Sequence, residues 1–199
     1  MKKKILNFFR NKITTQYPNY NNDKIDEIMY GIEGIYLTVE KAIIIFTISF
    51  MLGIFKNLIF LLIAFNIIRL FAFGVHASKS IICLIFSSII FLSFAFLCKI
   101  ITLDKNILFI IYPIILIIMY FFAPADTVKR PLINEKKRKR FKRLSLLITI
   151  IYFIISILYV NKSIITNYLF FGLIIECMLI NPITYKLFNT SYNNYKKMV

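Results

Sequence analysis

Charged residues are scarce in this sequence, and acidic ones especially so. Only 17% of the 199 residues are charged, and 25 lysines and arginines stand against 9 aspartates and glutamates. Soluble domains carry about 25% charge, whereas here 59% of residues are hydrophobic and the mean hydropathy is +0.76. The composition therefore argues against a soluble domain. The net charge of +16 does not indicate nucleic-acid binding, because the motifs and the basic face that such binding needs are missing.

Cysteines and signal-peptide features are also few. The three cysteines are an odd number and lie inside apolar runs, which does not suit a disulfide framework. Cys98 and Cys177 are therefore expected to be small buried hydrophobic residues. The apolar group 5–9 after the first lysines is too short for the hydrophobic region of a secretory signal. We expect no cleaved signal peptide.

Long runs without any charge occur at Ser80–Cys98, Asn106–Ala125 and Leu144–Asn161. Each approaches or reaches the ~20 residues that a helix needs to cross ~30 Å of hydrocarbon. Backbone groups in lipid must pair internally, so these runs should be helices. The sequence predicts an all-α fold, a polytopic membrane helical bundle of about six transmembrane helices. Their expected positions are about 42–55, 58–74, 80–98, 106–123, 144–160 and 164–182. The first two are short for membrane-spanning helices, so a re-entrant segment is an alternative there.

Three regions are expected along the chain. Residues 1–40 should form amphipathic cytoplasmic or interfacial helices, because apolar residues from Ile25 to Val39 recur at helical spacing opposite acidic ones. Residues 41–182 should form the transmembrane domain that holds any reactive site, with a cytoplasmic loop at about 124–143. Residues 183–199 should be a polar cytoplasmic tail.

Positive charges predict the orientation in the membrane. With the N-terminus inside, 21 of the 25 lysines and arginines lie in the predicted inside segments, and only Lys56, Lys99, Lys105 and Lys162 lie outside. Basic residues are retained on the cytoplasmic side. We therefore expect both termini, and the segment from Arg69 to Ser80, at the cytoplasmic face.

A candidate reactive pair lies in that segment. His76 is the only histidine, and Cys83 follows seven residues later. On one continuous helix the two residues would be about 10.5 Å apart along the axis, too far for contact. A hydrogen-bonded pair therefore requires a helix that starts near Ser78 or Ser80, which are suitable N-caps, and Gly74 permits an unusual backbone before it. Alternatively, His76 marks a membrane boundary and Cys83 is only a packing residue.

Further candidates surround this pair. Asp126 either orients a histidine in the way of a catalytic triad or belongs to an ordinary loop with Lys129 and Arg130. Arg69 either binds a substrate carboxylate or reaches toward lipid headgroups. Glu176 lies in the sixth predicted span, where an acid is costly, and its partner cannot be named. The basic run 136–143 either holds an acidic substrate or only sets topology and contacts lipid.

Two sequence blocks resemble the accessory gene regulator B (AgrB) family. The first consists of Arg69, Gly74-Val75-His76-Ala77, Ser78 and Cys83, and the second runs from Ala123-Pro124-Ala125-Asp126-Thr127 through Lys129-Arg130-Pro131-Leu132 into the basic run. The family often has two glycines before the histidine, and Phe73 stands at one of those positions here.

The resemblance implies a membrane endopeptidase of peptide quorum sensing in a bacterial cell membrane. Such an enzyme removes the C-terminal tail of an AgrD-like propeptide and promotes cyclisation of the remainder to a thiolactone or lactone. It implies Cys83 as nucleophile and His76 as base, with no metal and no cofactor. Arg69, Gly74, Ser78, Ser80, Asp126, Lys129 and Arg130 are the candidates for support or substrate contact. The expected partners are the propeptide and lipid, a homodimer stays open, and a nucleic acid is not expected.

Two other functions compete with this one. A small membrane transporter or exporter would suit six spans and an intramembrane Glu176, although few polar residues could line a path. A non-catalytic membrane scaffold would leave Cys83 replaceable. Loss of activity in Cys83→Ser at normal membrane levels would separate the peptidase from both.

Overall fold

A computed structural model describes residues 2–75, 80–127, 131–160 and 164–197, with only the backbone described for Ser80 and Lys197. This part of the chain is almost entirely helical, which confirms the all-α prediction. The helices are α1 Lys2–Gln16, α2 Asn22–Met51, α3 Phe55–Ala72, α4 Ser80–Ile100, α5 Lys105–Phe122, α6 Glu135–Leu158, α7 Ile164–Ile180 and α8 Pro182–Leu187, followed by a 3-10 turn at Asn194–Lys197.

The chain divides into two units, residues 1–48 and 49–199. In the first unit, α1 and the start of α2 are joined by two ion pairs, Lys2–Glu33 at 2.6 Å and Arg10–Asp26 at 2.7 Å. All four side chains are well exposed, so each pair contributes about 0–1 kcal/mol. α2 continues without a break to Met51, through the position near residue 41 where a domain boundary is expected. No proline interrupts it, and charged residues alone do not end a helix.

Five of the described helices, α2 to α6, are long and apolar enough to cross a membrane. The sixth, α7, is apolar but has 17 residues, the lower end of the range for a spanning helix. These six helices correspond to the six predicted spans, and the chain is a polytopic membrane helical bundle. Residues 135–143, the second half of the expected loop, are already helical as the first turns of α6.

The most buried helix of the second unit is α7, which packs against α3, α4, α5, α6 and α8. It approaches α3 closely at Gly172, where a Cβ atom would lie 3.1 Å from the backbone nitrogen of Phe65. Cys98 and Cys177 are buried at 1% and 7% exposure, as predicted. Because α7 is central, polar groups near its C-terminal end can reach several of the surrounding helices.

The segments that carry the predicted site lie at one end of this bundle. Phe73, after α3, forms a bridge with Ala125, after α5. The ring of Phe73 also contacts Phe141 of α6, with 5.2 Å between ring centroids. Phe86, in the second turn of α4, packs edge-to-face on Phe188 after α8 at 4.8 Å. The loops after α3 and α5 therefore meet beside α6, and the start of α4 meets the segment after α8.

Candidate active site

The predicted nucleophile, Cys83, is the fourth residue of α4 as described, which begins at Ser80. It is half-buried, and its Sγ lies 4.0 Å from the Oγ of Ser87. The Ser87 hydroxyl donates to the carbonyl oxygen of Cys83 at 2.6 Å. The first four N–H groups of a helix lack intrahelical partners and favour negative charge. The first turn of α4 is therefore a suitable place for a thiolate.

Several predicted site residues fall outside the described part of the chain. These are His76 and Ser78 in the first block, and Lys129 and Arg130 in the second. The contact between His76 and Cys83 accordingly stays a prediction. Val75 and Ser80 are the nearest described residues before and after His76.

The backbone before His76 is held by hydrogen bonds to two other segments. The N–H of Gly74 donates to the carbonyl of Ala125 at 2.8 Å, and the N–H of Ala125 donates to Ala72 at 2.9 Å. The N–H of Val75 donates to the carbonyl of Leu179 in α7 at 3.0 Å. Gly74 has a φ of +113°, which L side chains rarely adopt. Glycine is therefore favoured here by the backbone angle, and a Cβ atom at this position would lie 2.9 Å from the carbonyl oxygen of Leu179.

Phe73, the departure from the two-glycine pattern, also has a positive φ, of 61°. A bulky residue in this region is an outlier whose backbone strain must be offset by its surroundings. The ring contact with Phe141 is one such contribution. The chain thus keeps a glycine-like backbone at position 73 despite the side chain.

Arg69 contacts groups of the protein itself. Its Nη2 donates to the carbonyl oxygens of Gly74 at 3.1 Å and of Val75 at 2.9 Å. Its Nη1 lies 3.4 Å from Oε2 of Glu176, and these side chains are 14% and 0% exposed. Arg69 therefore braces the segment before His76, and Glu176 has the partner that sequence reasoning could not name. Opposite charges in two apolar helices were the available signal.

Asp126, the candidate orienting acid, anchors the C-terminal tail. Its carboxylate accepts hydrogen bonds from the backbone N–H groups of Asn194 at 2.9 Å and Tyr195 at 2.8 Å, with a longer one from Leu132 at 3.4 Å. The residue is 2% exposed. The carboxylate thus satisfies the free N–H groups at the start of the 3-10 turn. This is a supporting role, and the contact with His76, which lies outside the described residues, stays a prediction.

Two tyrosines of the C-terminal region extend this anchor, and sequence reasoning missed both. The Tyr185 hydroxyl donates to the carbonyls of Ala125 at 3.1 Å and Asp126 at 2.9 Å, and the Tyr192 ring packs edge-to-face on that of Tyr185. Burial raises the pKa of the Tyr185 phenol, and it raises the pKa of Tyr192 to about 12. Both phenols are therefore protonated donors at neutral pH. Nothing in their spacing would have indicated this role.

The basic run lies at the same end, on the first turns of α6. Asn134 caps this helix by accepting from the N–H of Lys137 at 3.1 Å. Arg138 lies over the ring of Tyr195 at 3.9 Å, and Lys142 lies over that of Tyr120 at 4.1 Å. Part of the basic run thus contacts aromatic rings of the chain itself. Within the described ranges, no group of three or more His, Cys, Asp or Glu side chains could hold a metal ion.

Comparison with known proteins identifies the family of the chain. The family model of accessory gene regulator B, AgrB, matches residues 3–180. An AgrB-like protein of Clostridium acetobutylicum is 30% identical over 169 residues, which cover 85% of this chain and 80% of that protein. AgrB-like proteins of Listeria innocua serovar 6a and Listeria welshimeri serovar 6b are 32% and 33% identical over 171 residues, covering 86% of this chain and 83% of each relative. No solved structure matches the chain. The chain belongs to the AgrB family.

Proposed function

We propose that this AgrB-family protein is a membrane-embedded cysteine endopeptidase that cuts an AgrD-like propeptide and promotes its cyclisation. The observation that carries the proposal is the position of Cys83. Its thiol lies in the first turn of α4 as described, at the bundle end where the backbone leading to His76 is braced. By contrast, Cys98 and Cys177 are buried within apolar helices.

The first step is acyl transfer to Cys83. Proton transfer from the thiol to His76 gives a thiolate, which attacks the carbonyl carbon of the scissile peptide bond. The C–N bond breaks, and the imidazolium returns its proton to the leaving amine. The C-terminal tail departs, and the rest of the propeptide remains on Cys83 as a thioester.

The second step closes the ring. An internal thiol or hydroxyl of the propeptide gives its proton to His76 and attacks the thioester carbonyl. A new C–S or C–O bond forms, and Cys83 leaves as a thiolate, so the thiolate–imidazolium pair is restored. Exchange of one thioester for another is nearly thermoneutral, and the activated bond is retained in the product ring.

Water is the competitor in this second step, because hydrolysis of the thioester would destroy the activated bond. Cys83 is half-buried at the end of an apolar bundle, so water has limited access to a thioester formed on its sulfur. Simple cleavage would not require this protection. The position of Cys83 therefore suits acyl transfer to a second nucleophile better than it suits hydrolysis alone.

The reaction is proposed to occur at the cytoplasmic face of a bacterial cell membrane, with both termini inside. The basic run 136–143 lies on α6 at the same bundle end as Cys83, whereas Lys56 and Lys105 lie in the first turns of α3 and α5, at the opposite end. This distribution follows the positive-inside rule. The same basic run, with Lys129 and Arg130, would attract an acidic propeptide tail.

The test is co-expression of the chain with a tagged candidate propeptide, followed by mass analysis of its C-terminal cleavage. We expect the wild type to cut, and Cys83→Ala and His76→Ala to leave the propeptide intact at equal membrane abundance. Cys98→Ala and Cys177→Ala are matched controls, since each removes a thiol that is buried away from the chemistry. Both controls should cut.

Cleavage by Cys83→Ala at the wild-type rate would rule out the peptidase mechanism. The transporter and scaffold hypotheses would then be favoured again. A propeptide fragment attached to Cys83 and released by hydroxylamine would identify the thioester directly. Its absence in a Cys98→Ala, Cys177→Ala background that still cuts would argue against a covalent intermediate.

A further inference from the structure

Glu176 is a buried acid that the proposed chemistry does not use. Its side chain is 0% exposed, and Oε2 is 3.4 Å from Nη1 of Arg69. The other oxygen, Oε1, is buried and has no hydrogen-bond partner among the described residues. An incompletely paired buried carboxylate is costly. Stability alone therefore gives a poor account of this residue.

Arg69 transmits the position of Glu176 to the backbone before His76. The guanidinium is planar and rigid, so an acid that fixes Nη1 also fixes the direction of Nη2. Nη2 is the atom that donates to the carbonyls of Gly74 and Val75. Within the described ranges, Glu176 is the carboxylate that pairs with this largely buried guanidinium. Loss of the acid would leave the cation held by neutral carbonyls.

The same helix holds this segment at a second point. Leu179, three residues after Glu176, accepts the hydrogen bond from the N–H of Val75. The segment Gly74–Val75 is thus attached to one turn of α7 at two points. The N–H of Val75 binds Leu179 directly. The carbonyls of Gly74 and Val75 bind Arg69, which pairs with Glu176. Because α7 is the most buried helix of its unit, it provides a rigid support.

We infer that Glu176 is a positioning residue for propeptide cleavage: through Arg69 it orients the Gly74–Val75 backbone that leads into the His76 base. The inference rests on the proposed function. Glu176 does not touch the substrate in this scheme. Replacing a buried ion pair by apolar residues is often neutral or stabilising, so the positioning effect can be separated from folding.

The experiment measures kcat, KM and melting temperature for the purified full chain with a synthetic propeptide. We expect Glu176→Gln to lower kcat at least tenfold, with KM within twofold, in an assay run well below the melting temperature of the variant, which should itself fall because the buried Arg69 cation loses its partner. Arg69→Lys should lower kcat similarly, because an ammonium group cannot hold two carbonyls and an acid in one plane. The double variant Arg69→Met, Glu176→Leu should melt like the wild type and still be slow. Cys177→Ala, next to Glu176 and also buried, is the control and should keep the wild-type kcat.

A second readout does not depend on catalysis. Amide hydrogen exchange of peptides that cover Gly74 and Val75 should be at least tenfold faster in Glu176→Gln, while α7 stays protected. Wild-type kcat together with wild-type exchange in Glu176→Gln would overturn the inference. The inference would also be overturned if Glu176→Gln regains the wild-type kcat when it is assayed well below its melting temperature. Such a result would mean that the loss of kcat reflects unfolding. Failure of the wild type to cut would instead refute the proposed function, and exchange would still decide the positioning role.

Discussion

Substitution of Gly74 by alanine is the sharpest test of the geometry before His76. A Cβ atom there would lie 2.2 Å from Nη1 of Arg69 and 2.9 Å from the carbonyl oxygen of Leu179. The Arg69 side chain can move, but the Leu179 carbonyl belongs to the backbone of α7. A residue with a side chain at a φ of +113° costs about 1–3 kcal/mol, and overpacking adds about 1–3 kcal/mol. The expected destabilisation is therefore about 2–6 kcal/mol.

Gly53→Ala is the matched control. Gly53 also has a positive φ, of 65°, but a Cβ atom added to it would have no other atom within 4 Å. Only the strain of about 1–2 kcal/mol remains, and it is partly offset because alanine has less freedom in the unfolded chain. The two variants therefore separate the effect of backbone angle from the effect of close approach.

The assay is thermal unfolding in detergent, followed by circular dichroism because the chain contains no tryptophan for fluorescence. For a chain of this size, 1 kcal/mol shifts the melting temperature by about 2–4 °C. Gly74→Ala should thus melt about 4–24 °C below the wild type, and Gly53→Ala at most about 6 °C below it. Propeptide cleavage should fall only in Gly74→Ala. Equal melting temperatures for the two variants would refute the close approach of Gly74 to α7.

Two further predictions concern the neighbouring backbone and the tail. Phe73→Gly should be more stable than Phe73→Ala by about 1 kcal/mol in the same melting assay, because both lose the ring but only glycine relieves the positive φ; the reverse order would contradict the strain. Asp126→Ala should speed trypsin cleavage after Lys196 at least tenfold, since charged hydrogen bonds contribute about 1.5–3 kcal/mol each. Asp104→Ala, which removes an acid that caps α5, should leave that rate unchanged, and equal rates in both variants would argue against the Asp126 anchor.

The sequence by itself determined the fold class and the helices that carry the site. Long apolar runs located α3, α4, α5 and α7 to within a few residues, because the pairing of backbone groups in lipid is a local requirement. Among α3 to α7, only the start of α6, at Glu135 rather than 144, lay well outside its predicted span. The same runs placed Cys83 near the start of α4 and identified Cys98 and Cys177 as buried. Apolar periodicity did not show that α2 is one continuous helix from Asn22 to Met51.

Only the tertiary structure decided how the site is supported. Arg69 and Glu176 are 107 residues apart, and Asp126 and Tyr195 are 69 apart. No periodicity or spacing within one helix connects such residues. They meet because α7 packs at the centre of its unit, and buried polar groups must then find partners among whichever helix ends lie beside them. Hydropathy is a property of each segment alone, whereas these partners depend on which segments lie next to one another in the folded bundle.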